Sequence, residues 1–385
     1  MDWGRVTGSR VAPTARLSVA EADLSGREEE YVIQAIRSTR VSGSGPFVER
    51  FEREFADLCG TTAAIATCNG TVALHLALLA LDLRPGDEVL VPDLTYVATA
   101  NAVRYCGAEP VFVDVDPATW CIAPDSLEAH ITRRTRGVIP VHLYGHPADM
   151  DAINHIAGVH GLWVVEDAAE AHMATYKGRP VGGLAQAATF SFYGNKIFTS
   201  GEGGAVTCDD PHLALRMQTL RGQGMDPERQ YYFPVTGYNF RLTNVACAIL
   251  CAQLERRQEI LTKREALFDE YRRRLSGIDG VSLQPQASWA VPAPWLFSVT
   301  IDSQRFGQTR DSVARALAEA GVETRPFFIP LHLLPPFREA ALARGVSYPV
   351  SEYLGAAGLN LPTHAGVRPD DVELIAGVVR ELAGG

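Results

Sequence analysis

The sequence predicts an α/β protein built on a mostly parallel sheet, followed by a second, smaller α/β unit. Three observations carry this expectation. Short β-rich apolar runs recur through the first 200 or so residues, each followed by a helical or turn pattern. Most of these runs lack polar alternation, as expected when helices cover both sheet faces. After about residue 240 the texture changes to a long charged helical stretch, and the 385-residue length exceeds a typical domain of roughly 100–200 residues.

The elements follow in order. Ser25 precedes a helix with Tyr31, Val32 and Ile36 at helical spacing, and Phe47, Phe51 and Phe55 form a second apolar stripe; both stripes are expected to face the core. Strands are predicted at 63–66, 88–91, 111–115, 137–141, 162–165, 187–190 and 204–207. Residues 84–87, Arg-Pro-Gly-Asp, form a turn, and Asp125 or Ser126 is placed as the cap of a helix carrying Leu127 and Ile131. A single helix is expected from Leu242 to about Ser276, bridging two units. Beyond it come a strand at 295–301 and helices at 310–320 and 370–382, with the proline-rich 325–336 left irregular. The predicted domains are 18–255 and 256–385.

Composition narrows the function. At 46% hydrophobic and 21% charged, the chain is not a disordered one. Its formal charge is 35 − 45 = −10, which argues against a nucleic-acid surface, because phosphate neutralisation needs clustered Lys and Arg. No apolar run approaches a membrane span, and residues 1–20 lack a signal pattern, so a cytoplasmic location is expected without a membrane partner. The cysteines at 59, 68, 106, 121, 208, 247 and 251 contain no C-x-x-C pair, so neither a disulfide framework nor a metal site is predicted. Cys247 and Cys251, one helical turn apart in an apolar run, fit buried packing.

Three segments place polar groups where strands end, the edge at which open α/β sheets bind ligands. In the first, Asn69-Gly70-Thr71 opens an apolar helix and offers free N–H groups to an anion; an ordinary capped helix is the plainer alternative. In the second, Glu166, Asp167 and Glu170 close a buried apolar strand, where a carboxylate needs a cationic partner or a structural salt bridge. In the third, Ser191 to Lys196 puts a lone lysine after an apolar strand among glycines, where desolvation would make its amine a nucleophile for a carbonyl. Together they suit pyridoxal 5'-phosphate, whose phosphate needs N–H donors, whose aldehyde needs a lysine and whose ring nitrogen needs an acid.

The runs NGTVALH (69–75), PGDEVLVPDLTY (85–96), EDAAEAH (166–172) and SFYGNK (191–196) resemble the DegT/DnrJ/StrS family of sugar-nucleotide aminotransferases. The segments RGQGMDP (221–227), YFPVTGYNFRLTN (232–244) and LPTHAG (361–366) are most similar to the branch that aminates GDP-4-keto-6-deoxy-D-mannose. The resemblance implies the fold-type I aminotransferase architecture, pyridoxal 5'-phosphate as cofactor, L-glutamate as amino donor, a keto-sugar nucleotide as acceptor and a homodimer. Residue by residue, it implies that Lys196 holds the cofactor and shuttles the proton and that Asp167 bonds the pyridine nitrogen. Glu170 would approach the ring hydroxyl and Tyr96 stack on the ring. Ser191, Gly70 and Thr71 would bind the phosphate, and Asn239 would reach it from the neighbouring subunit.

Two positions depart from the family pattern: Glu170 often has Gln, and Met173 often has Gly, which would reshape the wall behind His172. Another keto-sugar nucleotide, a cyclitol ketone or, remotely, a non-catalytic cofactor-binding regulator are the alternatives; a 3-dehydratase branch with His in place of Lys is opposed by Lys196. Residues 216–265 hold eight basic and five acidic side chains, 8 − 5 = +3, so an arginine there is expected to face the substrate diphosphate.

Overall fold

The computed structural model describes residues 17–226 and 228–384. Most of the 1–20 stretch discussed above lies outside them, as does Pro227. Helices α1 (Glu28–Arg37) and α2 (Pro46–Cys59) lead in. Pro46 sits in the first turn of α2, where its missing N–H is no loss, and Gly60 ends the helix with φ 67. Phe51 and Phe55 are buried edge-on against Phe190 and Phe192. The α1 stripe is only partly core-facing: Tyr31 and Ala35 are buried, whereas Ile36 is 56% exposed because Ala35 takes the inward position.

All seven strands predicted in the first unit form, within a few residues. They are β1 (Ala63–Thr67), β2 (Glu88–Pro92), β3 (Glu109–Val113), β4 (Thr135–Val138), β5 (Trp163–Asp167), β8 (Ala187–Ser191) and β9 (Gly204–Cys208). Between them lie α3 (Gly70–Ala80), α4 (Ala98–Tyr105), α5 (Met150–His160) and, after β9, α6 (Pro211–Arg221). The strands make one seven-stranded sheet in the order β1-β9-β8-β5-β4-β2-β3. Only β9 runs against its neighbours β1 and β8, so the carboxyl ends of β1, β8, β5, β4 and β2 share one edge. Short strands β6 (Thr175–Tyr176) and β7 (Arg179–Pro180) pair with β11 (Ala290–Val291) as a small flap.

Three expectations are corrected. No α-helix follows Asp125: two 3₁₀ turns, Pro124–Ser126 and Glu128–His130, carry Leu127, and Ile131 is already extended. The Ser126 carbonyl, which would continue an α-helix, is taken by the His130 ring at 2.7 Å, while the His130 N–H bonds Leu127 O. The long charged helix is two helices, α7 (Asn244–Glu255) and α8 (Arg257–Leu275), interrupted at Arg256. Arg256 is pulled aside by Asp23 and Glu259, which lets the apolar α7 stay buried while α8 turns a charged face outward. Residues 325–336 are not wholly irregular, since β13 (Arg325–Pro326) and a 3₁₀ turn at Leu331–Leu333 form there, and Pro335 opens α11 (Pro335–Arg344) at a position that tolerates proline.

The remaining chain forms β10 (Val281–Leu283), β12 (Phe297–Ile301), α9 (Ser303–Phe306), α10 (Arg310–Glu319), α12 (Pro349–Ala357), β14 (Gly358–Leu361) and α13 (Pro369–Ala383). Its four strands pair antiparallel as β10-β12-β14-β13. A core of its own holds Tyr271, Phe297, Leu317 and Ile375. Leu331, Phe337 and Tyr348, however, pack into the core of the large sheet. Three carboxylates at the two ends of β2 and the end of β3 fasten this segment: Glu88 to Arg344, Asp93 to His332, and Asp114 to the Val350 and Ser351 N–H groups.

Candidate active site

The shared carboxyl edge of the sheet opens into a cavity of about 810 Å³. Seven of the eight singled-out residues line it: Gly70, Thr71, Tyr96, Asp167, Glu170, Ser191 and Lys196. Asn239 does not. It is exposed, on the strand-like segment that bridges to Gly222, and is not among the residues that line this cavity.

The first wall is the start of α3. Asn69 caps it by accepting the Val72 N–H at 2.9 Å, which leaves the first-turn N–H groups of Gly70 and Thr71 without an intrahelical partner. Those donors and the helix dipole favour an anion. Gly70 is required by contact: a Cβ there would lie 2.8 Å from Ser191 Cβ. Thus the helix start and the end of β8 meet closely enough for Ser191 Oγ to join the same cradle.

Opposite lie two buried carboxylates. Asp167, the last residue of β5, accepts the Thr99 hydroxyl at 2.8 Å and is 5% exposed. Burial raises its pKa, and the Thr99 bond opposes that rise. Glu170 accepts the Tyr144 N–H at 2.8 Å and is pushed up to about 7, first by burial, with the Lys196 charge pulling it back. Tyr144 holds that N–H in place from a left-handed backbone, φ 51. Behind them His172 is buried among Phe190, Phe192 and Phe198, and desolvation lowers its pKa to about 3, so it stays neutral. Met173 has φ 64, the conformation glycine adopts readily, which gives a physical reason for Gly to be favoured there.

Lys196 follows a turn in which its N–H bonds Tyr193 O. Burial lowers its pKa, while Glu170 and Asp167 raise it. Its Nζ lies 3.9 Å from the ring centroid of Trp295.

The sequence reading missed several neighbours. Thr99 lies one helical turn after Tyr96, a spacing that could have flagged it. Tyr144, Trp295, Arg325 and Asn360 also line the cavity, but they come from distant segments and carry no local signal. Among the described residues, the arginine lining this cavity is Arg325. In the segment 216–265 Arg216 pairs with Asp82, Arg221 with Glu52 and Arg256 with Asp23, while Arg264 is buried against backbone carbonyls. Arg229 lies over the Tyr232 ring. No cluster of metal-ligating side chains occurs among the described residues.

A close helix–strand approach at Gly70, a buried carboxylate and a buried lysine, all lining one cavity, fit pyridoxal phosphate in donor set. Fold and site together define a pyridoxal-phosphate-dependent aminotransferase of fold-type I. Residues 22–380 match the DegT/DnrJ/EryC1/StrS aminotransferase family, and the chain belongs to it. A GDP-perosamine synthase from Caulobacter vibrioides is 46% identical over 368 residues, 95% of this chain and 98% of that one. The structure of DesI with its TDP-sugar product is 34% identical with a TM-score of 0.89, covering 97% of this chain and 94% of that one. A Streptococcus pneumoniae protein in its PLP-form superposes with a TM-score of 0.88 at 25% identity, over 97% of this chain and 99% of that one.

Proposed function

We propose that this enzyme aminates GDP-4-keto-6-deoxy-D-mannose with L-glutamate as donor, giving GDP-perosamine and 2-oxoglutarate. The observation that carries the chemistry is that Lys196, Asp167, Glu170 and the Gly70–Ser191 cradle line one cavity. The acceptor is supported by the near full-length similarity to a GDP-perosamine synthase.

Bound pyridoxal phosphate supplies an aldehyde that exchanges amine partners and a ring that accepts electron density from the substrate carbon. The chain does the rest. Gly70, Thr71 and Ser191 would hold the phosphate, and Asp167, fixed by Thr99, would bond the ring nitrogen and favour its protonated form. Glu170, fixed by Tyr144, bonds the ring hydroxyl. Tyr96 covers the ring's open side. Lys196 Nζ would hold the aldehyde at rest; once released, its amine would move a proton from the donor's Cα to the cofactor's C4' in the first half-reaction and from C4' to C4 of the sugar in the second.

The active site is read as completed by a second copy, with Asn239 crossing to the partner's phosphate. Supporting this, Asn239 is exposed outside its own cavity, and Tyr231, Tyr232, Phe233 and Val235 beside it are exposed apolar residues. Residues 18–255 are read as the cofactor unit and 256–385 as the unit that roofs it. A cytoplasmic location fits a nucleotide-sugar substrate, and among the described residues no helix is long and apolar enough to cross a membrane.

Purified enzyme incubated with L-glutamate and GDP-4-keto-6-deoxy-D-mannose should yield GDP-perosamine by mass spectrometry, and Lys196→Ala should abolish turnover while keeping the fold. Wild-type turnover by Lys196→Ala would sink the mechanism. Preference for a thymidine-linked keto sugar in a substrate panel would instead favour the alternative acceptor, which the similarity to DesI with its TDP-sugar product supports.

A further inference from the structure

We propose that the indole face of Trp295 is the resting platform for the Lys196 ammonium whenever that lysine is not joined to the cofactor. The inference rests on the reading of Lys196 given above and adds Trp295 to the reaction as a positioning residue.

Lys196 Nζ stands 3.9 Å from the Trp295 ring centroid, well within range of a cation–π attraction. Asp167 at the end of β5 and Glu170 just after it are the acidic groups that act on its charge, His172 is also within electrostatic reach, and Tyr144 lines the same cavity. Among the described residues, no ion pair or hydrogen bond joins Nζ to either carboxylate. The lysine therefore rests on a ring although two acids are near. This placement has a chemical use: a carboxylate contact would hold the ammonium tightly, whereas a ring face stabilises the charge without committing its N–H donors to an oxygen acceptor.

The platform itself is fixed on three sides. Trp295 is 3% exposed, and its Nε1–H bonds Asn195 O at 2.8 Å, beside the lysine it serves. Its backbone N–H bonds Ala293 O at 2.9 Å. Its carbonyl accepts Arg264 Nη1 at 3.1 Å, and the same nitrogen reaches Thr363 O at 3.2 Å. Arg264 is buried with backbone carbonyls as its hydrogen-bond partners, so it ties the Trp295 backbone to the loop after β14. Tyr144 lies nearly parallel to the indole, 6.3 Å away.

The test is the acid dissociation of Lys196, read by pH-dependent acetylation and mass spectrometry of its peptide. It is run on the full chain without cofactor and on enzyme converted by excess L-glutamate to the pyridoxamine form. Trp295→Leu should lower the lysine's pKa by about half to one pH unit, roughly a three- to tenfold loss of ammonium over amine at a given pH. Trp295→Phe, which keeps a weaker ring, should fall between. Equal values for wild type and Trp295→Leu overturn the proposal. So do equal shifts for Trp295→Phe and Trp295→Leu, because the indole would then act only through its bond to Asn195. If Trp295→Leu is insoluble, Trp295→Met supplies volume without a ring and is judged by the same two criteria. Acetylation of Lys196 in the wild-type holoenzyme before glutamate is added would refute its role as the cofactor lysine, and the cofactor-free measurement would still judge the platform.

Discussion

Gly70→Ala tests the cradle apart from the rest of the site. The added Cβ would lie 2.8 Å from Ser191 Cβ and 3.2 Å from both its Cα and Oγ. Carbon atoms in good contact are about 3.5–4.0 Å apart, so the start of α3 and the end of β8 must separate by roughly 0.7–1.2 Å. Two of the three close atoms are Cα and Cβ, which cannot swing away as the tip of a long side chain would. Overpacking of this kind costs about 1–3 kcal/mol of folding stability. The larger consequence is local. Separation pulls the Gly70 and Thr71 N–H groups away from Ser191 Oγ, so one anion site can no longer satisfy all of them. A hydrogen bond to a charged group contributes about 1.5–3 kcal/mol, so losing one weakens cofactor binding about 10- to 100-fold. The assay is titration of the cofactor-free chain with pyridoxal phosphate, followed by absorbance, beside urea unfolding of the same sample. Lowered stability with wild-type affinity would show that Gly70 serves packing alone, and wild-type values for both would refute the close approach itself.

Gly377 offers the converse case, since it lies within α13 with nothing within 4 Å of a built Cβ. Gly377→Ala should stabilise the chain by about 0.5–1 kcal/mol in urea unfolding, and destabilisation would contradict the open space. For Glu170 the folded pKa of about 7 lies above the ordinary 4.5, so its neutral form favours folding and that contribution is lost as pH rises from 4.5 through 7. The difference, 7 − 4.5 = 2.5 units, corresponds to up to about 3 kcal/mol. Over that window the cofactor-free wild type should lose stability relative to Glu170→Gln, and parallel pH profiles would count against a buried, reluctant carboxylate. His332→Ala removes the 2.7 Å bond to buried Asp93 and should cost about 1–3 kcal/mol by urea unfolding; a loss below about 0.5 kcal/mol would show the contact to be incidental.

How legible the fold was depended on the range of the forces involved. The seven strands announce themselves because burial on both faces demands continuous apolar runs, a purely local signature. The break at Arg256 was hidden because it depends on Asp23, more than two hundred residues away, and the helical periodicity continues through it. Where a helix was expected after Asp125, the Ser126 carbonyl is met by the His130 ring, a contact that helical spacing does not announce. Ile36 was misplaced because helical spacing does not say whether it or Ala35 points inward. In the site, Asp167, Glu170, Ser191 and Lys196 stand out as polar groups ending apolar strands. Thr99, Tyr144 and Trp295 do not, since each is an ordinary residue until folding sets it against a carboxylate or an amine.

The segment pinned by Glu88, Asp93 and Asp114 has a consequence for how the enzyme's selectivity is varied. Arg325 and Phe328 form a ceiling over the cavity, and both ends of their strip are anchored, one by pairing with β14 and the other by the Asp93–His332 bond. A ceiling held this way cannot swing open like a jaw, so its height is fixed when the chain folds. Tyr96 and Tyr193, both more than half exposed in the single chain, line the cavity at its mouth. Exchanging residues 325–328 as a cassette would recut the space for the sugar while the floor that grips the cofactor, contributed by other strands, stays as it is.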